Sequence, residues 1–140
     1  AATAQNIRWS DAICTALQLV NFWQDVAIDL RKDRIYFPRD EMARHGVSEA
    51  DLFAARADAP FRELMAFQVS RARALLESGA PLARAVAGRS GFELRLVVEG
   101  GLRILDKIDG VRADVFRHRP VLRGLDWLLM LWRAAARYPR

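Results

Sequence analysis

A chain of 140 residues lies within the size of one domain, and its 52% hydrophobic content is enough for a buried core, which excludes a disordered tail. A formal charge of +5 favours anionic partners in a general way, whether diphosphates, nucleic acid or acidic lipid headgroups. The single cysteine, Cys14, excludes a disulfide within the chain and fits a cytosolic setting.

The chain opens at Ala1 inside what already reads as a helical pattern, without the basic and apolar succession of a signal peptide, as a segment cut from something longer would. Neither Gly nor Pro occurs before Pro38, and the apolar spacing from Ile13 to Leu30 follows a helical period, so the first element is a long helix. Pro38 pushes Phe37 towards an extended conformation, which predicts a short loop over Asp33–Pro38. Ser48 with Asp51 three residues on resembles a capping box with a carboxylate and opens a short helix to about Ala55. Pro60 fits the first turn of the next helix, which runs to about Ser78 and stops at Gly79. Pro81 opens a short helix ending near Gly88. Phe92 to Ile108 is then periodic in Leu, Val and Ile, with Gly110 as the stop. Each glycine of the Gly100-Gly101 pair inside it costs about 1 kcal/mol relative to alanine, so the pair points to close helix packing or a bend. Pro120 starts the last helix, through about Arg137. No repeat, low-complexity stretch or strand pattern interrupts this reading, which is all-α in one domain over residues 1–140.

The first helix carries a polar stripe. On a wheel advancing about 100° per residue from Gln18, Asn21 falls at about 300°, Asp25 at about 340° and Asp29 at about 20°. Leu17, Leu19, Val20, Trp23, Val26, Ala27, Ile28 and Leu30 occupy most of the remaining circumference, a narrower polar arc than a surface helix normally shows. Carboxylates on a helix buried on most sides are costly unless they meet a cation or hydrogen-bond donors. The hard oxygens of Asn21, Asp25 and Asp29 suit magnesium, which binds through one or two carboxylates plus waters and substrate phosphate. With one cysteine and no histidine near the stripe, a structural zinc site is not expected.

The run Gln18-Leu19-Val20-Asn21-Phe22-Trp23-Gln24-Asp25-Val26-Ala27-Ile28-Asp29, followed by Arg34-Ile35-Tyr36-Phe37-Pro38, resembles the second aspartate-rich motif and following loop of the squalene/phytoene synthases. The likeness is dense from about Ser10 to Asp40. A later helix of the same family resembles Glu93 to Asp109, including Leu94-Arg95-Leu96 and Gly100-Gly101-Leu102-Arg103-Ile104-Leu105. This resemblance implies an isoprenoid-synthase-type helical bundle around a cavity, with Asn21, Asp25 and Asp29 on Mg2+ and Asp25 and Asp29 in the catalytic role. It implies Gln18, Asn21, Arg34 and Tyr36 as contacts of an isoprenoid diphosphate, with Arg31 and Lys32 as weaker candidates. Many relatives carry Arg where Gln24 stands, and this departure resembles the bacterial hopanoid-pathway branch, which makes squalene or hydroxysqualene from farnesyl or presqualene diphosphate. A phytoene product is the alternative. No second aspartate-rich pair precedes Asp25, so the chain is expected to be the C-terminal portion of one enzyme domain, inactive without its N-terminal half.

Two readings from other classes compete. A nucleic-acid module would need its arginines on one exposed helix, but they are spread along the chain and the sharpest motif is acidic, so no nucleic-acid partner is expected. Leu125 to Trp132, beside Arg123 and Arg133, reads either as a packed core helix or as a membrane-surface or protein-interaction element. The expected location is therefore cytoplasmic, with peripheral contact to the inner face of the membrane as the variant that this stretch would support.

Overall fold

The computed structural model describes residues 3–138, and among them every regular element is a helix. The chain begins with α1 (Ala4–Gln24), whose N-terminal N–H groups are capped by the Thr3 hydroxyl accepting from Asn6 N at 3.1 Å. One residue, Asp25, leaves helical geometry at φ −105° and ψ 13°, and α2 (Val26–Leu30) follows directly. The backbone ladder runs through the break, because Asp25 N–H donates to Asn21 O at 3.0 Å and Asp29 N–H to Asp25 O at 2.9 Å. The long helix expected up to Leu30 is therefore present as a path, but it is opened at the first aspartate of its polar stripe.

Asp33 at φ 54° turns the chain out of α2. Pro38, at φ −60° and ψ 134°, stands immediately before α3 (Arg39–Arg44), a helix that no apolar spacing announces. Its first turn carries Asp40 and Glu41, favourable at a helix N-terminus, and Gly46 at φ 69° ends the turn after it. At α4 (Glu49–Phe53) the capping box is formed: Ser48 Oγ accepts from Asp51 N at 3.1 Å, while Asp51 Oδ2 accepts from Ser48 N at 3.0 Å. α5 (Ala59–Gly79) has Pro60 in its first turn and Asp58 as its cap. α6 (Leu82–Ala85) is the short helix after Pro81, and α7 (Gly88–Gly110) begins four residues before the periodic stretch from Phe92.

The last helix corrects its expected start. α8 is Gly124–Ala136 rather than a helix opening at Pro120. Residues 118–123 have no regular structure, the Pro120 carbonyl is taken by the Gln24 side chain, and Asp126 Oδ2 accepts from Arg123 N at 2.7 Å to fix the helix start at Gly124. A side-chain cap three residues further on thus overrides the preference of proline for a first turn.

α1 packs along α5, α7 lies against both, and α8 packs on α7. Trp23, Phe61, Leu64, Met65, Leu105 and Ile108 are essentially inaccessible and centre the core. Phe37 carries the loop into it, stacked on Trp23 at 4.8 Å and edge-on to Phe61 at 6.0 Å. The glycine pair marks close packing: a Cβ on Gly101 would lie 2.7 Å from Leu76 Cδ2 and 3.0 Å from Leu17 Cδ2, so α7 approaches α1 and α5 where only hydrogen fits.

Buried charges bind the elements to one another. Glu41 accepts from Gln68 and Arg71, holding α3 on α5. Asp126 takes Arg103 and Lys107, each at 2.7 Å, and Glu99 sits under Arg137 at 3.5 Å and the Tyr138 hydroxyl at 3.4 Å, so α8 is clamped to α7 at both ends. The polar side chains Asp126 and Arg133 of α8 therefore point inward, while Leu125 (81% exposed), Leu128 and Trp132 (65% exposed) point outward. The stretch Leu125 to Trp132 is consequently not a fully packed core helix. No helix among the described residues is long and apolar enough to cross a membrane.

Candidate active site

Two of the four stripe residues, Asn21 and Asp29, line separate concavities. Asn21 lines an apolar groove of about 490 Å3 between α1, α7 and α8, walled by Leu17, Val20, Ile104, Leu122 and Met130. Asp29, together with Arg34 and Tyr36, lines a tight crevice of about 10 Å3 beneath the loop. Arg34 is tied to this place by its backbone, whose N–H donates to Asp29 O at 3.0 Å, and Tyr36 stacks its ring on Phe22 at 3.9 Å and 4°. Gln18 is exposed and lines none of these concavities, and Arg31 and Lys32 are exposed on the turn after α2.

Asp25 meets a partner that the sequence pattern does not reveal. Arg119 Nε donates to its Oδ1 at 2.8 Å, with the two side chains 47% and 31% exposed. Arg119 belongs to the irregular 118–123 segment, which walls a third concavity of about 570 Å3 with Arg103, Asp106, Lys107 and Arg117. Val121 lines both this basic concavity and the apolar groove, so the two meet there, and Asp25 is joined to the basic one through Arg119. No helical period relates Arg119 to the stripe, because it is in coil, and its sequence signal is the cluster Arg117-His118-Arg119 in front of Pro120.

The donor chemistry fits magnesium. Asn21, Asp25 and Asp29 offer hard oxygens around the helix break, the Asp side chains are only half-buried, and the Asp25 carboxylate is opposed by a cation already. Among the described residues no three His, Cys, Asp or Glu side chains gather into a cage.

The squalene/phytoene synthase family model matches residues 1–126. This chain is a squalene/phytoene synthase family member. The phytoene synthase of Thermus thermophilus is 39% identical over 127 residues, covering 89% of this chain and 43% of that protein. The phytoene synthase of Arthrospira platensis is 38% identical over 112 residues, covering 77% and 35% respectively. Among solved structures, squalene synthase HpnC from Alicyclobacillus acidocaldarius superposes with a TM-score of 0.76 at 38% identity, over 79% of this chain and 42% of that one. The all-α architecture is thus the isoprenoid-synthase helical fold, and the chain spans less than half the length of these relatives. The family is one of trans-isoprenyl diphosphate synthases, transferases of isoprenoid biosynthesis.

Proposed function

We propose that this chain is the C-terminal portion of a magnesium-dependent enzyme that forms squalene or hydroxysqualene from farnesyl or presqualene diphosphate. The observation that carries this reading is the junction at Val121, where an apolar groove lined by Asn21 opens beside a basic concavity whose Arg119 is paired with Asp25. An isoprenoid diphosphate has the same two-part chemistry, a long apolar chain joined to a polyanionic head. Asn21, Asp25 and Asp29 would hold Mg2+, with further ligands from a first aspartate-rich motif in the N-terminal part of the enzyme. When bound, the ion supplies Lewis-acid neutralisation of the departing diphosphate.

The protein's own side chains do the remaining work in this reading. Gln18, Arg34 and Tyr36 contact substrate from the α1 face and the following loop, and the arginines of the basic concavity offer forked donors to phosphate oxygens. The groove walls at Leu17, Val20, Ile104 and Met130 keep water from the carbocation left when the C–O bond to diphosphate breaks. A second reading, phytoene synthase, is favoured by the names of the relatives from Thermus thermophilus and Arthrospira platensis. Structural likeness to squalene synthase HpnC and the Gln24 departure favour the first.

The test uses the complete enzyme containing this chain, incubated with farnesyl, presqualene and geranylgeranyl diphosphates, following released diphosphate and extracted hydrocarbon. Asp25→Asn and Asp29→Asn keep side-chain shape and remove anionic ligands, so magnesium-dependent release falls by orders of magnitude while the fold survives. Undiminished turnover in both variants overturns the mechanism. Turnover of geranylgeranyl diphosphate alone establishes the phytoene reading.

A further inference from the structure

Gln24 lies off the polar stripe, yet its side chain reaches across the molecule. Its amide donates to the carbonyl of Pro120, pinning the irregular 118–123 segment against the end of α1. The residue before that carbonyl is Arg119, and the residue after Gln24 is Asp25. One hydrogen bond therefore sets the register in which the Arg119 guanidinium meets the Asp25 carboxylate at 2.8 Å. The proline suits this role, because it restricts the backbone of the segment that the amide holds. Of the other arginines lining that concavity, Arg117 pairs with Asp114 at 3.1 Å and Arg103 with Asp126 at 2.7 Å, and Arg119 is the cation paired with Asp25.

We propose that Gln24 and Arg119 form a latch in which the Arg119 guanidinium stands in for a divalent cation at Asp25, and that Gln24 is the positioning residue that keeps it there. A divalent cation must displace Arg119 to reach Oδ1, and the released guanidinium stays close by, tethered through Pro120 to Gln24. The latch thereby balances the charge of the carboxylate when no ion is bound, and it weakens ion binding by the strength of the pair it must break. Both partners are partly exposed, so the pair is worth about two- to fivefold in an equilibrium rather than orders of magnitude. This inference rests on the reading of Asp25 as a cation ligand.

The experiment measures Mn2+ affinity of the complete enzyme containing this chain by electron paramagnetic resonance. Alongside it, the Arg119 Nε–H resonance is followed by NMR as a readout that needs no metal, and circular dichroism confirms that each variant folds. Arg119→Gln is expected to raise affinity about two- to fivefold, and Gln24→Leu, which changes no charge, to raise it in the same direction and to lose the distinct Arg119 Nε–H signal. If Gln24 acts through Arg119, the double variant binds no tighter than Arg119→Gln alone. Arg117→Gln removes an equal charge two residues before Arg119, and its effect is smaller. Equal affinity in wild type and Arg119→Gln overturns the latch while leaving Asp25 as a ligand. Additive effects in the double variant, or an unchanged Arg119 signal in Gln24→Leu, overturn the positioning role. Absence of Mn2+ binding in wild type and Arg119→Gln alike overturns both the latch and the assignment of Asp25.

Discussion

Asp25 is the one residue between Ala4 and Leu30 that departs from helical geometry, and it is also the one stripe residue with an ion-pair partner in the structure. The stripe itself was legible in the sequence, since four polar residues on a single arc of an otherwise apolar helix need only the helical period to be seen. Its partner was not, because Arg119 sits in coil and no period relates it to α1. Nor did the wheel foresee that Asn21 and Asp29 would face different concavities, since it assumes an uninterrupted helix through Asp25. Tyr36 offers a separable test at this scale. Its ring stacks on Phe22, so Tyr36→Ala should lower stability by about 1 kcal/mol, whereas Tyr36→Phe keeps the stack and should stay within about 0.5 kcal/mol. Urea denaturation measures both. In the complete enzyme, Tyr36→Phe then reports the hydroxyl alone, and a raised KM with unchanged stability is the outcome expected of a substrate contact.

Helix ends were read well where a local cap decided them and poorly where a distant contact did. Ser48 and Asp51 formed the box that their spacing implied, and Gly79 and Gly110 close α5 and α7. Pro120, by contrast, was captured by Gln24, and α3 is too short to show a period. Close packing of the helices predicts a graded glycine series. A Cβ on Gly79 would meet the Trp9 carbonyl oxygen and Ile13 Cγ1, both at 2.6 Å, and backbone cannot yield cheaply. Gly79→Ala should therefore cost about 1–3 kcal/mol, and Gly100→Ala, which meets the flexible end of Met130 at 3.2 Å and Leu122 Cδ1 at an ordinary 3.8 Å, considerably less. Thermal denaturation distinguishes them. The clamp of α8 on α7 has a pH signature. Lys107 above all, then the Arg123 backbone and Arg103, hold the Asp126 carboxyl well below its usual range despite its burial. Its folded pKa is depressed, so the unfolded chain binds more protons on acidification, and this contribution is present above the ordinary carboxylate pKa of about 4 and lost as pH falls below it. Asp126→Asn should be less stable than wild type at pH 7, with the gap in urea midpoint narrowing towards pH 3.

At the scale of the molecule, α8 is turned inside out relative to a solvated helix: its charged residues pack against α7 while Leu125, Trp127, Leu128, Leu131 and Trp132 are exposed. The sequence showed the apolar run from Leu125 to Trp132 but not its direction, because buried ion pairs, rather than the apolar residues alone, decide which face turns inward. Contiguous exposed apolar surface binds hydrophobic dyes, so the isolated chain should enhance 8-anilinonaphthalene-1-sulfonate fluorescence. Replacing Leu125, Leu128 and Trp132 together by Ser should abolish most of that signal and leave the denaturation midpoint nearly unchanged; an undiminished signal would place the dye elsewhere. The two contacts that join the 118–123 segment to α1 span 96 and 94 residues of sequence, against four for a helical hydrogen bond. Closing so long a loop for two partly exposed bonds yields little until α1, α5 and α7 have already met. The charge pairing at Asp25 is therefore made late in folding and lost early in unfolding, and native-state hydrogen exchange should find residues 118–123 opening while the α1 and α5 amides stay protected.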